Sequence, residues 1–129
     1  MKEFRTAIEN RDMDGLMTLM AEDVVFRSPI VYAPYHGRAA LEQLLRAVSR
    51  VLEDFHYTRQ LESADGADHA LVFRARIGDR EVEGCDFLHT NGDGLIDEMF
   101  VMFRPLSGAM ALAEAMKRQL ELAQSGGAA

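Results

Sequence analysis

Asp86 is the residue whose type and surroundings point most directly to chemistry. It lies in GCDFLHTNGDGLIDE, residues 84–98. Side chains alternate along a strand, so Val82, Gly84, Asp86 and Leu88 share one face and Glu81, Glu83, Cys85, Phe87 and His89 the other. Asp86 is the one charge on its face. The two glutamates opposite belong at solvent, which turns Asp86 inward. A carboxylate among apolar neighbours is costly unless it is paired, hydrogen-bonded or protonated. Two readings follow. Asp86 forms an ion pair with an arginine of a neighbouring strand, Arg74 or Arg27. Or it is a carboxylic acid in an apolar pocket, where desolvation raises its pKa and lets it donate a proton or a hydrogen bond.

Other chemistries find less support. DGLID looks like part of a calcium loop, but with Gly94 at the sixth position the first and twelfth fall on His89 and Phe100, which leaves both ends of the loop without a carboxylate. Asn91-Gly92-Asp93-Gly94 is better read as a turn between two strands. His36, His56, His69 and His89 have no short ligand spacing, so no metal is expected. Cys85, the only cysteine, permits no internal disulfide and has no neighbour that must activate it. No glycine-rich phosphate loop and no Ser-His-Asp order stands out.

The elements that must position Asp86 follow from periodicity. Phe4, Ala7 and Ile8 have helical spacing, and Asp12 or Asp14 can cap a second short helix holding Leu16, Met17, Leu19 and Met20. Residues 23–28 are β-rich and end at Pro29; residues 30–36 read as an irregular rim segment. Gly37 opens a strong helix with Leu41, Leu44, Leu45, Val48 and Leu52 in one apolar stripe. Four strands follow, at 55–62, 69–77, 81–89 and 95–104, with Gly78-Asp79 as a two-residue hairpin loop. Ser107 is placed to cap a last helix running to about Leu122. Helices followed by a run of strands imply one α+β domain over residues 1–122, with helices on one face of a curved, mainly antiparallel sheet, and a flexible tail over 123–129.

The bulk composition narrows the partners. The chain has 129 residues, 48% of them hydrophobic, with 21 acidic and 14 basic residues and a net charge of −7. That charge repels phosphate and argues against a nucleic-acid partner. No apolar run reaches membrane-spanning length, so a cytoplasmic protein without a membrane partner is expected. Phe87, His89, Phe100 and Met102 lie on the outer sheet face and need cover; a second copy of the chain would supply it, and a homodimer is expected.

Several side chains are candidates for a pocket wall. Val24, Phe26 and Ser28 share a face of the first strand, and Met99, Val101 and Phe103 a face of the last. Met13, Met17 and Met20 either close the space from the side or belong to the core. Tyr32, Tyr35 and His36 suit a pocket rim, where a ring with a polar tip has one wet end; the alternative packs the tyrosines on Pro29 and Pro34 and leaves His36 at the surface.

The order and spacing of LMAEDVVFRSP, HGRAALEQLL and GCDFLHTNGDGLIDEMFVMFRP resemble the nuclear transport factor 2-like superfamily in its SnoaL-like branch, over nearly the whole chain up to about Arg104. The resemblance implies a cone-shaped, cystatin-like α+β barrel wrapped around the long helix, a pocket for a hydrophobic or amphipathic small molecule, no cofactor, and a homodimer. It also implies that the faces of Phe26 and Ser28 and of Met99 and Phe103 line the cone. Ketosteroid isomerases of this superfamily place an oxyanion-donating Asp on this strand, and Asp86 has the family's spacing to Gly94. Their general-base Asp falls at Ser28 and their tyrosine donor at Phe4, which implies that Phe4 too borders the ligand. A serine hydroxyl is too weak a base to take a carbon-bound proton unaided, so that mechanism is not expected here. The cyclases of the superfamily use an acidic residue in the cone as acid or base, a role Asp86 could fill. The Arg between two carboxylates of limonene epoxide hydrolases has no clear counterpart.

Three functions remain open at this level. The chain is an isomerase, cyclase, dehydratase or hydrolase with Asp86 as acid or base; or a binding module in which no proton moves; or an association module whose cone is filled by its own side chains. An open cone would count against the third.

Overall fold

The computed structural model describes residues 1–126. Helices α1 (Lys2–Glu9) and α2 (Met13–Thr18) lead into strand β1 (Met20–Arg27) and the short β2 (Tyr35–His36). Helix α3 (Arg38–Ser49) is followed by β3 (Glu53–Glu62), β4 (Asp68–Ile77), β5 (Arg80–Thr90), β6 (Ile96–Arg104) and α4 (Leu106–Gly126). The six strands form one sheet in the order β2-β1-β6-β5-β4-β3. All neighbours are antiparallel except β1 and β6, which run parallel. The sheet curves without closing, so β2 and β3 are its edges. Register shifts in β1, β3 and β6 accompany the curvature.

Local sequence explains most boundaries. The Asp12 carboxylate accepts a hydrogen bond from the Gly15 amide at 3.0 Å and caps α2. Gly37 sits at φ 97°, a conformation open to glycine, with its amide on the Val24 carbonyl and its own carbonyl starting α3. The β4–β5 hairpin turns at Gly78-Asp79, with positive φ at Gly78 alone, as a two-residue loop with glycine first requires. Between β5 and β6, Asn91 Oδ1 accepts from the amides of Asp93 and Leu95, and Gly94 takes φ 77°.

Some boundaries differ from expectation. Met20 opens β1 rather than closing α2, because its side chain and that of Ala21 drop into the core as the chain straightens. Tyr35 and His36, expected in an irregular segment, pair with Phe26 and Val25 as β2; two residues are too few to show a periodicity. Helix α4 starts at Leu106, so Ser107 lies inside its first turn, and the Pro105 carbonyl accepts the Ala109 amide. The helix also continues past Leu122 through 123–126, where a tail was expected; residues 127–129 lie outside the described residues.

The helices cover the inner face of the sheet. Helix α3 packs on β1, α4 crosses β6, β5 and β4, and α1 meets β3. Leu16, Met20, Val24, Leu41, Leu71, Leu88 and Ile96 are buried at the centre. Each large apolar side chain withdrawn from water this way contributes about 1.5–3 kcal/mol before entropy is counted.

Candidate functional site

Between the inner sheet face and helices α2, α3 and α4 lies a cavity of about 710 Å³, with Asp86 in its wall. Strand β5 sets that position. Asp86 is in register with Leu71 on β4 and Val101 on β6, and the inner face around it carries Val82, Leu88, Phe73 and Phe103. Asp86 is 5% exposed. It shares no ion pair with the described residues: Arg27 binds Glu98 at 3.1 Å and Arg74 binds Glu83 at 3.3 Å, both on the other side of the sheet. The alternative of a buried salt bridge to either arginine is therefore ruled out.

The partner is Tyr57 on β3, whose hydroxyl donates to Asp86 Oδ2 at 2.8 Å. Asp86 Oδ1 receives no hydrogen bond from the described residues. Burial pushes the carboxyl up to about 7, and the hydrogen bond from Tyr57 opposes that rise. Burial, with the charge of Asp86 next, likewise raises the Tyr57 phenol above its ordinary value. Besides Asp86 and Tyr57, His69 is buried among the described residues; its Nδ1 lies 3.4 Å from Glu62 Oε1 and it does not border the cavity.

Aromatic rings fix Tyr57 in place. Phe55 meets Tyr57 edge-on at 5.0 Å between centroids and stacks on Phe73 at 4.7 Å, and Phe73 reaches Phe103 at 6.2 Å. Gly84 makes room for this group: a Cβ there would stand 2.4 Å from Phe73 Cζ and 2.6 Å from the Met102 carbonyl oxygen. The Arg5 guanidinium lies 5.9 Å from the Tyr57 ring centroid.

Of the residues expected at a pocket, Phe26, Ser28, Tyr35, Met99 and Phe103 border the cavity with Asp86. Four do not. Phe4 is wholly buried in the core under α1, and Met17 is buried on α2, while Met13 one turn earlier takes the cavity side. Tyr32 is 99% exposed at the tip of the β1–β2 connection. His36 alternates with the cavity-facing Tyr35 and is exposed on the opposite face. Ser28 borders the cavity with its hydroxyl already engaged: Oγ accepts from the Ile30 and Val31 amides at 3.2 and 2.9 Å and shapes its own loop. Helix α4, whose place was open, crosses the cavity with Leu112, Met116 and Leu120.

Tyr57, Phe55 and Phe73 were missed. The signal was present: Phe55 and Tyr57 alternate with His56 and Thr58, which turns Tyr57 inward, where a buried hydroxyl needs an acceptor. No group of three His, Cys, Asp or Glu that could hold a metal ion occurs among the described residues. No helix among them is long and apolar enough to cross a membrane.

A curled, open sheet covered by helices, with a buried acid that has no ion pair among the described residues in the wall of the cavity between them, defines a cone-type α+β protein. The chain belongs to the SnoaL-like domain family, which residues 1–99 match. It is 44% identical to a steroid delta-isomerase from Pseudomonas aeruginosa, covering 96% of this chain and 90% of that one with a TM-score of 0.92. A bacterial protein with a cystatin-like fold from Silicibacter pomeroyi DSS-3 is 30% identical over 93% of this chain and 84% of its own, with a TM-score of 0.87. A nuclear transport factor 2-like protein from Cytophaga hutchinsonii ATCC 33406, 18% identical over 81% of this chain and 86% of its own with a TM-score of 0.61, shares the fold. No protein of curated function matches the chain.

Proposed function

We propose that the cavity binds an apolar or amphipathic small molecule bearing a carbonyl group, and that Asp86 moves a proton on it without a cofactor. The observation that carries this reading is a buried carboxyl in a cavity wall, held among the described residues by one hydroxyl and by no cation. A carboxyl poised near 7 populates both forms at neutral pH, the condition for taking a proton and returning it. The carboxylate would accept a proton from the carbon beside the carbonyl, leaving an enolate. The resulting acid would return the proton to another atom of the ligand. Once Asp86 is neutral, the Tyr57 hydroxyl loses its anionic acceptor and can turn to the enolate oxygen. This route gives isomerisation, and with a leaving group dehydration, and it needs no base at Ser28. The similarity to the Pseudomonas aeruginosa protein makes a β,γ-unsaturated 3-ketosteroid the first compound to try.

Hydrogen exchange tests the reading without a known product. Ketones incubated with the protein in D2O should gain deuterium beside the carbonyl, and Asp86→Asn should bind the same ketone without exchange. Exchange at the same rate with Asp86→Asn would leave only a binding module.

The outer sheet face supports a second proposal, a homodimer formed across it. Phe87 and Met102 are 38% and 53% exposed there, the Phe87 and Phe100 rings lie 5.8 Å apart, and all four helices lie against other elements or the inner face. A cytoplasmic setting goes with this reading, since the single cysteine leaves the fold independent of an oxidising compartment.

A further inference from the structure

The cavity rim is charged unevenly. Every charged side chain that lines the cavity other than Asp86 (Glu9, Asp12, Asp54, Arg11, Arg46, Arg50 and Lys117) is exposed or half-buried, which puts these seven at its rim. Two of the three acids are in ion pairs, Glu9 with Arg5 and Asp54 with Arg76 at 2.7 Å, while Asp12 accepts the Gly15 amide and keeps its charge. Arg46 is held by Glu42 at 2.8 Å and by Asp14 at 3.2 Å. Arg11, Arg50 and Lys117 have no carboxylate within 4.0 Å among the described residues. They come from three separate elements, the α1–α2 turn, the end of α3 and the middle of α4, so no single helix face accounts for them. A protein of net charge −7 thus leaves three exposed cations around the mouth of an apolar cavity.

The backbone marks the same place. Arg11 and Asp54 are the two non-glycine residues with positive φ among the described residues, at 54° and 53°, and both border this opening. Left-handed backbone is disfavoured for such residues and persists where the surroundings hold it, often beside a binding site.

Resting on the pocket reading above, we propose that the ligand is an anionic amphiphile. Its apolar body lies in the cavity toward Asp86, and its carboxylate, sulfate or phosphate head stays at the rim against Arg11, Arg50 and Lys117. An anionic head placed there gains attraction from all three cations without burying any charge, and the local field draws it in against the overall charge of the chain.

A matched pair of dyes tests this: 1-anilinonaphthalene-8-sulfonate, and N-phenyl-1-naphthylamine, which has the same rings without the sulfonate. The sulfonated dye should bind more tightly, and added salt should weaken it alone. The exposed-site variant Arg11→Asn/Arg50→Gln/Lys117→Gln should cost the sulfonated dye about tenfold in affinity and leave the neutral dye unchanged. Equal binding of the two dyes, or an equal response of both to the triple substitution, would overturn the proposal while leaving the pocket intact. Val101→Trp or Ala113→Phe, each filling the cavity from a different wall, should expel both dyes. Retention of both dyes by these folded variants, or no binding of either dye to the unaltered protein, would overturn the pocket reading itself.

Discussion

The Tyr57 hydroxyl donates to Asp86 Oδ2 across the inner face of the sheet at 2.8 Å, while Oδ1 of the same carboxyl takes no hydrogen bond from the described residues. One oxygen is used to hold the group, and the carboxyl sits in the cavity wall. That division distinguishes Asp86 from a structural carboxylate, which would be satisfied on both sides by amides or a guanidinium. It also separates the two influences on its proton: burial raises the pKa, and the tyrosine opposes it.

Tyr57→Phe removes the opposing influence. The carboxylate form of Asp86 then loses the one donor it has among the described residues, so its titration midpoint should move upward from about 7. The same substitution should slow deuterium exchange into a bound ketone while leaving ketone affinity largely unaltered. A midpoint that falls, or does not move, would mean that Tyr57 does not bond the ionised form.

Stability should carry the same signature with a definite sign. The folded-state pKa of Asp86 lies above the unfolded value of 3.8, so between the two the folded state holds the extra proton. Its contribution is fully present below about pH 4 and is lost as pH rises through about 7, on the order of a few kcal/mol in total. Urea unfolding of Asp86→Asn should lack this fall, so the variant gains on the unaltered protein as pH rises from 4 to 8. Parallel pH profiles for the two proteins would contradict the buried, unpaired state of the acid.

Gly84→Ala should be destabilising by about 1–3 kcal/mol, because its Cβ meets the Phe73 ring and the Met102 backbone. The disturbance should pass through the stacked Phe73 and Phe55 to Tyr57, so that the Asp86 midpoint shifts as well. Thermal melts and the carboxyl titration read the two effects independently.

Ser28→Ala should behave differently from a catalytic substitution. Its hydroxyl accepts two loop amides, so its loss should cost about 1 kcal/mol of stability and leave the Asp86 titration unchanged. A large loss of deuterium exchange at unchanged ketone affinity would place Ser28 in the chemistry after all.

Phe87→Lys/Met102→Lys puts charge into the exposed apolar patch of the outer face. Sedimentation should report a dimer for the unaltered chain and a monomer for the variant, with the Asp86 titration retained. An unaltered chain that sediments as a monomer would contradict the dimer proposal.

The strands and the orientation of Asp86 were legible because alternation on β5 is clean: three small or apolar side chains flank one acid, and two glutamates mark the opposite face. Helix α3 was legible from its leucine stripe. Tyr57 was harder to see because β3 is an edge strand with a register shift next to that tyrosine, and most of its residues are exposed. Phe4 and Met17 were misplaced for another reason. Helical spacing says that a side chain faces inward, and does not say whether it meets packed core or open cavity; Met13 and Met17 differ in that respect on one helix. Tyr32 and His36 depended on a two-residue strand and the turn before it, whose course is set by pairing with β1 rather than by any local pattern. The three rim cations come from segments far apart in the chain, and only the folded chain brings them to one cavity.

The most direct measurement is the pH titration of the Asp86 carboxyl carbon by NMR, with Asp86→Asn to assign the resonance. The expected midpoint lies near 7 and shifts again when an apolar ligand occupies the cavity. A midpoint close to that of a free aspartate, indifferent to ligand, would contradict it.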